Sequence, residues 1–220
     1  MDLSKHREEA SKLSLGSSSN LILDSIVEKF AALGIEKSAK IIDIGCGKGC
    51  LLSKVKALGY DNLYGTDYTD FGANENYQFF AHDGNLAFPE QYRDFDIILC
   101  SEVIEHIENP WAFTRNLRAL GKEGTILILS TPNPESFLSI ISLIFKGYFV
   151  AFGPRDYPAH ITPVSTYEIK NMLELLKVKV INFFFIKNGR IPGTGLLWRS
   201  LFPFLGGKRF SENFIVISKF

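Results

Sequence analysis

The fold is decided by one short stretch, which runs Ile41-Ile42-Asp43-Ile44-Gly45-Cys46-Gly47-Lys48-Gly49. Its first four residues predict a buried strand, because they are mostly β-branched and apolar. Three alternating glycines follow, and glycine permits positive φ and a close approach of the backbone to a ligand. Residues 51–58 then show the apolar spacing of a helix, which Gly59 ends. A strand, a glycine-rich turn and a helix in this order are typical of nucleotide-binding α/β domains.

Strand and helix signals alternate along the rest of the chain. Strands are expected at residues 40–44, 62–66, 77–80, 95–100, 125–129, 177–185 and 213–218, and further helices at 21–33, 110–120 and 166–176. This alternation implies an α/β domain with a mainly parallel sheet, helices on both faces and ligands at the carboxyl ends of the strands. We predict one domain over residues 1–220, with an N-terminal helix region at 1–38 and an apolar cap or lid insertion at 135–165.

The charge of the chain argues against nucleic acid as the main partner. Lysine and arginine number 24 and so do the acids, so the net charge is zero and a chain-wide basic footprint is missing. Residues 137–220 nevertheless carry eleven basic and four acidic side chains. Such an asymmetry usually reflects solvated faces, and its alternative is an anionic partner. Residues 1–19 lack the apolar core of a signal peptide, so we expect a cytoplasmic protein.

Two further acids follow predicted strands. Asp67 lies 18 residues after Gly49, where a carboxylate can accept hydrogen bonds from both hydroxyls of a ribose. Dinucleotide-binding folds share this feature, and an acid in such a turn can instead cap a helix. Asp83 and Gly84 follow the third strand, where a plain Asp-Gly turn is the alternative interpretation.

The fourth strand runs into an ExxEH motif. Glu102, Glu105 and His106 fall at i, i+3 and i+4, so a helical backbone would place all three on one face. Two carboxylates and an imidazole can hold a divalent ion such as Mg²⁺ or Zn²⁺, or His106 can act as a base. His160 is a second catalytic candidate, although a lone histidine in a loop is more often a solvated or capping residue.

These motifs together resemble class I S-adenosylmethionine-dependent methyltransferases. The GxGxG stretch with its preceding acid is similar to the cofactor-binding motif of that family, whereas a dinucleotide fingerprint needs glycine or alanine where Cys50 stands. Residues 95–107 most closely resemble the ubiquinone-biosynthesis O-methyltransferases. The resemblance covers residues 41–220 and is firmest over 41–133. It implies a Rossmann-like sheet of seven strands, parallel except for the last.

The resemblance also implies which residues bind S-adenosylmethionine. The methionine end would meet the glycine motif, Asp67 the ribose, Asp83 the adenine, and Ser101 with Glu102 the sulfonium. The full expected cofactor set is Asp43, Gly45, Cys46, Gly47, Gly49, Asp67, Tyr68, Asp83, Gly84, Ser101 and Glu102. One departure stands out, because ubiquinone-type enzymes have an arginine near the first helix for the cofactor carboxylate. This chain has Ser17, Ser18, Ser19 and Asn20 there.

The apolar stretch at residues 137–152 bears on the methyl acceptor. Its only charge is Lys146, and it is too short to span a bilayer. It is either a buried cap over the sheet or an exposed lid that touches a lipid or a lipid-linked acceptor at the membrane periphery. The ubiquinone-type enzymes carry a comparable insertion. Residues 191–204 resemble a second apolar and basic flap, similar to one in bacterial methyltransferases of surface glycans or their lipid-linked precursors.

The sequence therefore favours O-methylation of a small-molecule, lipid-linked or glycan hydroxyl, with His106 and His160 as catalytic residues. The first alternative is an RNA 3′-terminal 2′-O-methyltransferase, a group that also carries ExxEH completed by a distant histidine. Zero net charge and the apolar insertion disfavour it. The second alternative is a non-catalytic cofactor-binding module, which the intact glycines and acids disfavour. The oligomeric state is left open.

Overall fold

The computed structural model describes residues 7–8, 16, 18–72 and 75–220. Within these residues one sheet contains seven strands in the order β3-β2-β1-β4-β5-β7-β6. All neighbours pair in parallel except β7, which is antiparallel to both β5 and β6. The predicted Rossmann-like sheet is thereby confirmed. The strands are β1 (Ile41–Ile44), β2 (Leu63–Asp67), β3 (Gln78–Ala81), β4 (Phe95–Ser101), β5 (Gly121–Pro132), β6 (Lys179–Phe185) and β7 (Asn213–Lys219).

Four helices lie close to the positions that the sequence predicts, a fifth occupies the apolar insertion, and the short helix at Trp198–Leu201 was not predicted. The helices are α1 (Asn20–Ala31), α2 (Cys50–Ala57), α3 (Pro110–Leu120), α4 (Phe137–Lys146), α5 (Thr166–Leu175) and α6 (Trp198–Leu201), with 3₁₀ turns at Ile104–His106 and Lys208–Phe210. Most predicted bounds hold to within two residues, and β5 is the exception. It is much longer than the predicted 125–129, because Gly121 already pairs with β4 and the polar residues 130–132 still pair with β7.

Local side-chain caps explain where the helices begin. Ser19 accepts a hydrogen bond from the backbone N–H of the first turn of α1, and Asn109 does the same for α3, which has proline at its first position. Ser165 and Glu168 form a reciprocal capping box at the start of α5. These polar signals lie within a few residues of their targets, and they are therefore visible in the sequence.

The core occupies both faces of the sheet. Ile41 of β1 packs with α1 and α2 on one face, whereas Ile42 and Ile44 pack with α3 and α5 on the other. Strands covered on both sides are buried almost throughout, which explains why β1 and β4 are apolar apart from Asp43, Asp96 and the terminal Ser101. The covered faces leave the carboxyl ends of the strands as the open edge of the domain.

The apolar insertion forms α4 and a run of turns. Its helix buries Ser139 and Ser142 and exposes Phe137, Ile144 and Phe145. Of the two interpretations that the sequence leaves open, the structure therefore shows an apolar surface that faces solvent. Among the described residues, no helix has the length and apolar character needed to cross a bilayer.

Candidate active site

A cleft of about 310 Å³ opens at the carboxyl ends of β1, β2 and β4. This volume falls in the range of small-molecule sites, and the switch point of a doubly wound sheet is where such sites form. Most of the predicted site residues line it. They are Asp43, Gly45, Cys46, Asp67, Tyr68, Asp83, Gly84, Ser101, Glu102, His106 and His160. Gly47, Gly49 and Glu105 do not line the cleft.

The glycine loop packs tightly against Gly16 and Val103, both of which also line the cleft. Gly45, Gly47 and Gly49 all have positive φ, which side chains rarely adopt. A Cβ atom on Gly47 would lie 2.2 Å from the carbonyl oxygen of Gly16, and one on Gly45 would lie 2.4 Å from Cγ2 of Val103. The loop is further held by a hydrogen bond from the N–H of Lys48 to Gly16. The motif therefore needs glycine for two reasons, conformation and space.

Asp67 joins the end of β2 to the glycine loop. Its Oδ2 accepts a hydrogen bond from the N–H of Gly47 at 2.9 Å, and its Oδ1 accepts one from Thr69 at 3.2 Å. Burial raises the pKa of Asp67, while these backbone donors act to lower it. The side chain is held at the wall of the cleft, where a carboxylate can accept a hydrogen bond from a ligand hydroxyl.

Asp43 carries an unsatisfied oxygen into the site. The side chain is buried in β1, and its Oδ1 has no hydrogen-bond partner among the described residues. Burial raises the pKa of this carboxyl well above its usual range, and the neighbouring Asp67 raises it further. Buried polar atoms in native proteins are nearly always paired, so an orphan at a cleft fits a donor group on a ligand. An amine of a bound amino acid moiety would supply such a donor.

Asp83 is engaged on both of its oxygens. Oδ1 accepts hydrogen bonds from the backbone and side chain of Asn85, and Oδ2 accepts one from Nη1 of Arg7 at 2.6 Å. Arg7 also bonds Glu108 and lines the cleft. It is absent from the predicted set, because nothing in its local sequence ties it to a partner 76 residues away.

The serines near the start of α1 lie partly at the cleft. Ser18 and Ser19 both line it, and Oγ of Ser18 is 3.5 Å from Oγ of Ser101 at the end of β4. Ser17, which was expected in the same position, lies outside the described residues. Cys50 also lines the cleft and was not predicted to do so.

The ExxEH segment does not form the expected helical face. Glu102 precedes the 3₁₀ turn and has φ 56°, in the left-handed region, so it is not in helical register with Glu105 and His106. Its Oε1 accepts from Ser130 and its Oε2 from Asn213. Burial raises the pKa of Glu102, and nearby Glu105 raises it further. The left-handed backbone at Glu102 thus directs its side chain to Ser130 and Asn213, out of helical register with Glu105 and His106.

His160 is brought to the ExxEH turn by the backbone of the loop that carries it. The carbonyl of Glu105 accepts hydrogen bonds from the N–H groups of Ile161 and Thr162. The rings of His106 and His160 meet edge to face with their centroids 4.8 Å apart. The pairing that the sequence could only suggest, between two histidines 54 positions apart, is present in the fold.

Both imidazoles have the same tautomer. Nδ1 of His106 is 2.7 Å from the carbonyl oxygen of Ala159, and Nδ1 of His160 is 2.7 Å from that of Ala151. A carbonyl only accepts, so each Nδ1 carries the proton and each neutral ring has its lone pair on Nε2. Burial lowers the pKa of both rings, and for His160 the neighbouring His106 lowers it further. Two neutral bases therefore stand at the cleft.

Glu105 completes a group able to hold a metal ion. One ligand atom each from Glu105, His106 and His160 can be chosen so that all lie within 4.8 Å of one another. Oε2 of Glu105 accepts from Thr131, whereas its buried Oε1 has no partner among the described residues. Burial raises the pKa of Glu105 to about 8. The structure thus joins His160 to two of the predicted ligands, Glu105 and His106, whereas the third, Glu102, is outside this group.

A second cavity, of about 490 Å³, lies under the C-terminal end of α4. It is walled mostly by apolar and aromatic side chains, which include Leu143, Tyr148, Phe149 and Phe152. His160 lines both this groove and the first cleft. The imidazole of His160 therefore forms part of the wall of both spaces.

Comparison with known proteins assigns the family. Residues 19–180 match the family described as "Methyltransferase domain". The chain belongs to the class I S-adenosylmethionine-dependent methyltransferases. A curated relative, the ubiquinone biosynthesis O-methyltransferase of Rickettsia bellii, is 26% identical over 170 residues, which cover 72% of this methyltransferase and 69% of the relative.

Solved structures show the same fold for this methyltransferase. A methyltransferase from Archaeoglobus fulgidus matches with a TM-score of 0.62 at 17% identity, covering 90% of this chain and 94% of that one. The magnesium protoporphyrin IX methyltransferase of Synechocystis, with bound S-adenosylhomocysteine, matches with a TM-score of 0.61 at 20% identity, covering 90% and 81%. The cofactor class follows from the family, while the individual contacts to the cofactor stay predictions of the cleft geometry.

Proposed function

We propose that this methyltransferase transfers a methyl group to a hydroxyl oxygen of a small acceptor that carries an apolar portion, as a lipid-linked molecule does. The observation that carries the proposal is the position of His160, shared by the cofactor cleft and the apolar groove. A hydroxyl placed at this junction would face His106 and His160, and the rest of the acceptor would lie against Phe149 and Phe152. The relative from Rickettsia bellii is named an O-methyltransferase, which supports oxygen as the acceptor atom.

The main contribution of the protein to this reaction is to position the methyl donor and the acceptor. S-adenosylmethionine supplies a methyl group on a positively charged sulfur. The acceptor oxygen forms the new bond to carbon, the electron pair of the broken bond stays on sulfur, and the hydroxyl proton must leave. Holding the reacting atoms in line accounts for most of the acceleration in such displacements. Asp43, Asp67 and the glycine loop would fix the donor, since they form the wall of the cleft.

The proton of the acceptor would pass to Nε2 of His106. Burial lowers the pKa of His106, so the ring is neutral at physiological pH and its lone pair is ready to accept. The bond from Nδ1 to Ala159 fixes the ring and keeps the lone pair on the opposite nitrogen. His160 would orient the acceptor hydroxyl from the groove side, because its ring packs against that of His106.

A divalent ion fits the same group of side chains. Ligand histidines commonly donate their second ring nitrogen to a backbone carbonyl, as both His106 and His160 do here. Oε1 of Glu105, which has no partner among the described residues, is a suitable ligand once a cation displaces the proton that the raised pKa of this carboxyl favours. Because Nε2 of His106 cannot bind an ion and accept the acceptor proton at the same time, we propose as an alternative to the base role that Glu105, His106 and His160 hold an ion such as Zn²⁺ or Mg²⁺. Such an ion would ease loss of the acceptor proton by lowering its pKa.

Methyl transfer from radiolabelled S-adenosylmethionine tests the proposal. We expect product with para-decylphenol and much less with para-methylphenol, because only the longer chain can fill the apolar groove. A lipid-linked sugar, a free glycan and RNA with a 3′-terminal hydroxyl are assayed in parallel. Transfer to RNA ends in preference to every apolar acceptor would overturn the proposal in favour of RNA methylation. Binding of S-adenosylmethionine without transfer to any acceptor in the set would also contradict it and favour a non-catalytic module.

A further inference from the structure

Helix α4 buries small polar residues and exposes large apolar ones, which is the opposite of what is usual for a helix on the surface of a water-soluble domain. Its buried positions are Ser139 and Ser142, while Phe137, Ile144 and Phe145 fall at i, i+7 and i+8 on the outer face. Ile144 is 70% exposed and Phe145 is 82% exposed. Large apolar side chains grouped in this way on a surface usually mark an interaction site.

A ladder of aromatic rings extends this face onto the flap that precedes β7. Phe137 meets Trp198 with centroids 6.4 Å apart, Trp198 meets Phe202 at 6.3 Å, and Phe202 meets Phe204 at 6.1 Å. Phe204 is 80% exposed. The 3₁₀ turn Lys208–Phe210 packs against α4 from the same flap. Helix α4 and residues 196–204 therefore form one continuous apolar surface, here called the aromatic face.

The charged side chains near the aromatic face are mostly basic, and the acids Glu135, Asp156 and Glu212 lie just beyond its two segments in the chain. Residues 136–155 and 186–211 contain no acid, and their basic residues are Lys146, Arg155, Lys187, Arg190, Arg199, Lys208 and Arg209. Arg190 and Lys208 are paired with Glu212 and Glu135. Within the described residues, the other five form no ion pair with a carboxylate. Exposed apolar side chains beside cations that lack a carboxylate partner are complementary to a partner surface with an anionic outer layer and an apolar interior.

We infer that the aromatic face docks on an anionic lipid bilayer. The exposed rings would enter the boundary between headgroups and acyl chains, and the unpaired cations would bind the headgroups. The apolar groove opens at the C-terminal end of α4, where Leu143 and Gly147 line it, so a docked enzyme would present the groove to the bilayer. Docking goes beyond the proposed reaction, and vesicle binding tests it without reference to any methyl acceptor.

Sedimentation of the full chain with vesicles is the experiment. One set of vesicles contains equal parts of phosphatidylglycerol and phosphatidylcholine, and the other contains phosphatidylcholine alone. We expect the protein to pellet with the anionic vesicles and to be released as salt rises from about 0.1 M to about 0.5 M, because screening weakens the headgroup attraction. The double variant Ile144→Glu with Phe145→Glu should bind these vesicles at least about tenfold more weakly.

The matched control is Tyr167→Glu with Leu175→Glu on α5. These residues are 71% and 68% exposed, and the control adds the same two negative charges. It should bind like the wild type. Binding of S-adenosylmethionine by each double variant shows that the variant is folded. If the wild type itself failed to bind S-adenosylmethionine, the proposed function would be wrong, but the docking inference would be unaffected. Three results would each overturn the inference. They are no binding of the wild type to anionic vesicles, equal binding by the two double variants, and a wild-type dimer that only the α4 variant dissociates.

Discussion

The ring of His160 packs edge to face on that of His106, and both rings donate Nδ1–H to carbonyl oxygens at 2.7 Å. The two donors fix both tautomers, so the two Nε2 atoms are the nitrogens able to accept a proton or bind an ion. This arrangement separates the work of the histidines from that of the cofactor-binding residues. Changes at the imidazoles should therefore alter the chemical step and leave cofactor affinity unchanged.

Replacing His106 with glutamine should lower kcat by about 10²–10⁴-fold, the usual contribution of a positioned acid or base. His160→Gln should have a smaller effect, because its proposed role is to orient the acceptor. Steady-state kinetics with the acceptor found in the screen, together with calorimetry of S-adenosylmethionine binding, measures both quantities. The control is His82→Gln, because His82 lines the same cleft and its Nε2 lies 3.3 Å from the carbonyl oxygen of Leu86, outside the His106–His160 pair. A kcat for His106→Gln equal to that of His82→Gln would rule out the base assignment.

The glycine loop makes a prediction about binding alone. Gly47→Ala would place a Cβ 2.2 Å from the carbonyl oxygen of Gly16, in a residue with φ 51°. The backbone must shift to relieve the clash, and we expect affinity for S-adenosylmethionine to fall by at least about tenfold, which corresponds to 1.4 kcal/mol.

The matched control for the loop is Gly34→Ala. Gly34 has φ 61° and no heavy atom within 4 Å of an added Cβ, so this change brings the same unfavourable conformation without the clash. It should cost roughly 1 kcal/mol of stability and leave binding unchanged. Equal loss of binding in both variants would mean that global destabilisation, rather than the shape of the loop, accounts for the effect.

The sequence predicts those parts of the site whose structure depends on residues close to one another in the chain. The strand, the glycine turn and α2 lie within 41–57, and their periodicity, positive-φ positions and helix start are all encoded in those residues. Asp67 is equally predictable, because parallel strands bring their carboxyl ends to one edge whatever the details of packing.

The parts that the sequence does not predict depend on distant partners. Glu102 has helical spacing to Glu105, but its φ of 56° breaks the helical register and its Oε2 accepts a hydrogen bond from Nδ2 of Asn213, which is 111 positions away. Arg7 forms an ion pair with Asp83, which is 76 positions away, and no local sequence pattern indicates this pairing. Helix α4 is apolar on nearly every position outside its serines, so its sequence cannot say which face turns outward. Tertiary contacts decide all three.

The metal group makes a prediction that needs no acceptor. After equilibration with Zn²⁺ and removal of the excess, the wild type should retain one ion per chain by elemental analysis. Glu105→Gln removes the anionic ligand whose Oε1 is unpartnered and should lower the affinity by about tenfold or more. Glu108→Gln is the control, since Glu108 pairs with Arg7 and lies outside the group. Undiminished zinc in Glu105→Gln would show that these side chains do not hold the ion.

Asp43 should lower the stability of the free protein at neutral pH while contributing to cofactor binding, and its effect on stability should depend on pH. Burial raises the pKa of this carboxyl in the folded chain well above its ordinary value, so between the two pKa values the unfolded chain has lost a proton that the folded chain keeps. Stability contributed by this group therefore falls as pH rises through that window.

The isosteric variant Asp43→Asn removes this penalty. Without cofactor we expect it to be more stable than the wild type by about 1–3 kcal/mol at pH near 7, because an amide does not ionise and so loses no proton on unfolding, and this advantage should shrink toward pH 4. Urea unfolding of both proteins across this range measures the difference, and calorimetry should show weaker S-adenosylmethionine binding by the variant. If Asp43→Asn were instead the less stable protein at neutral pH, the carboxylate would have to be satisfied in the free enzyme. Its orphaned Oδ1 could then no longer be assigned to the cofactor.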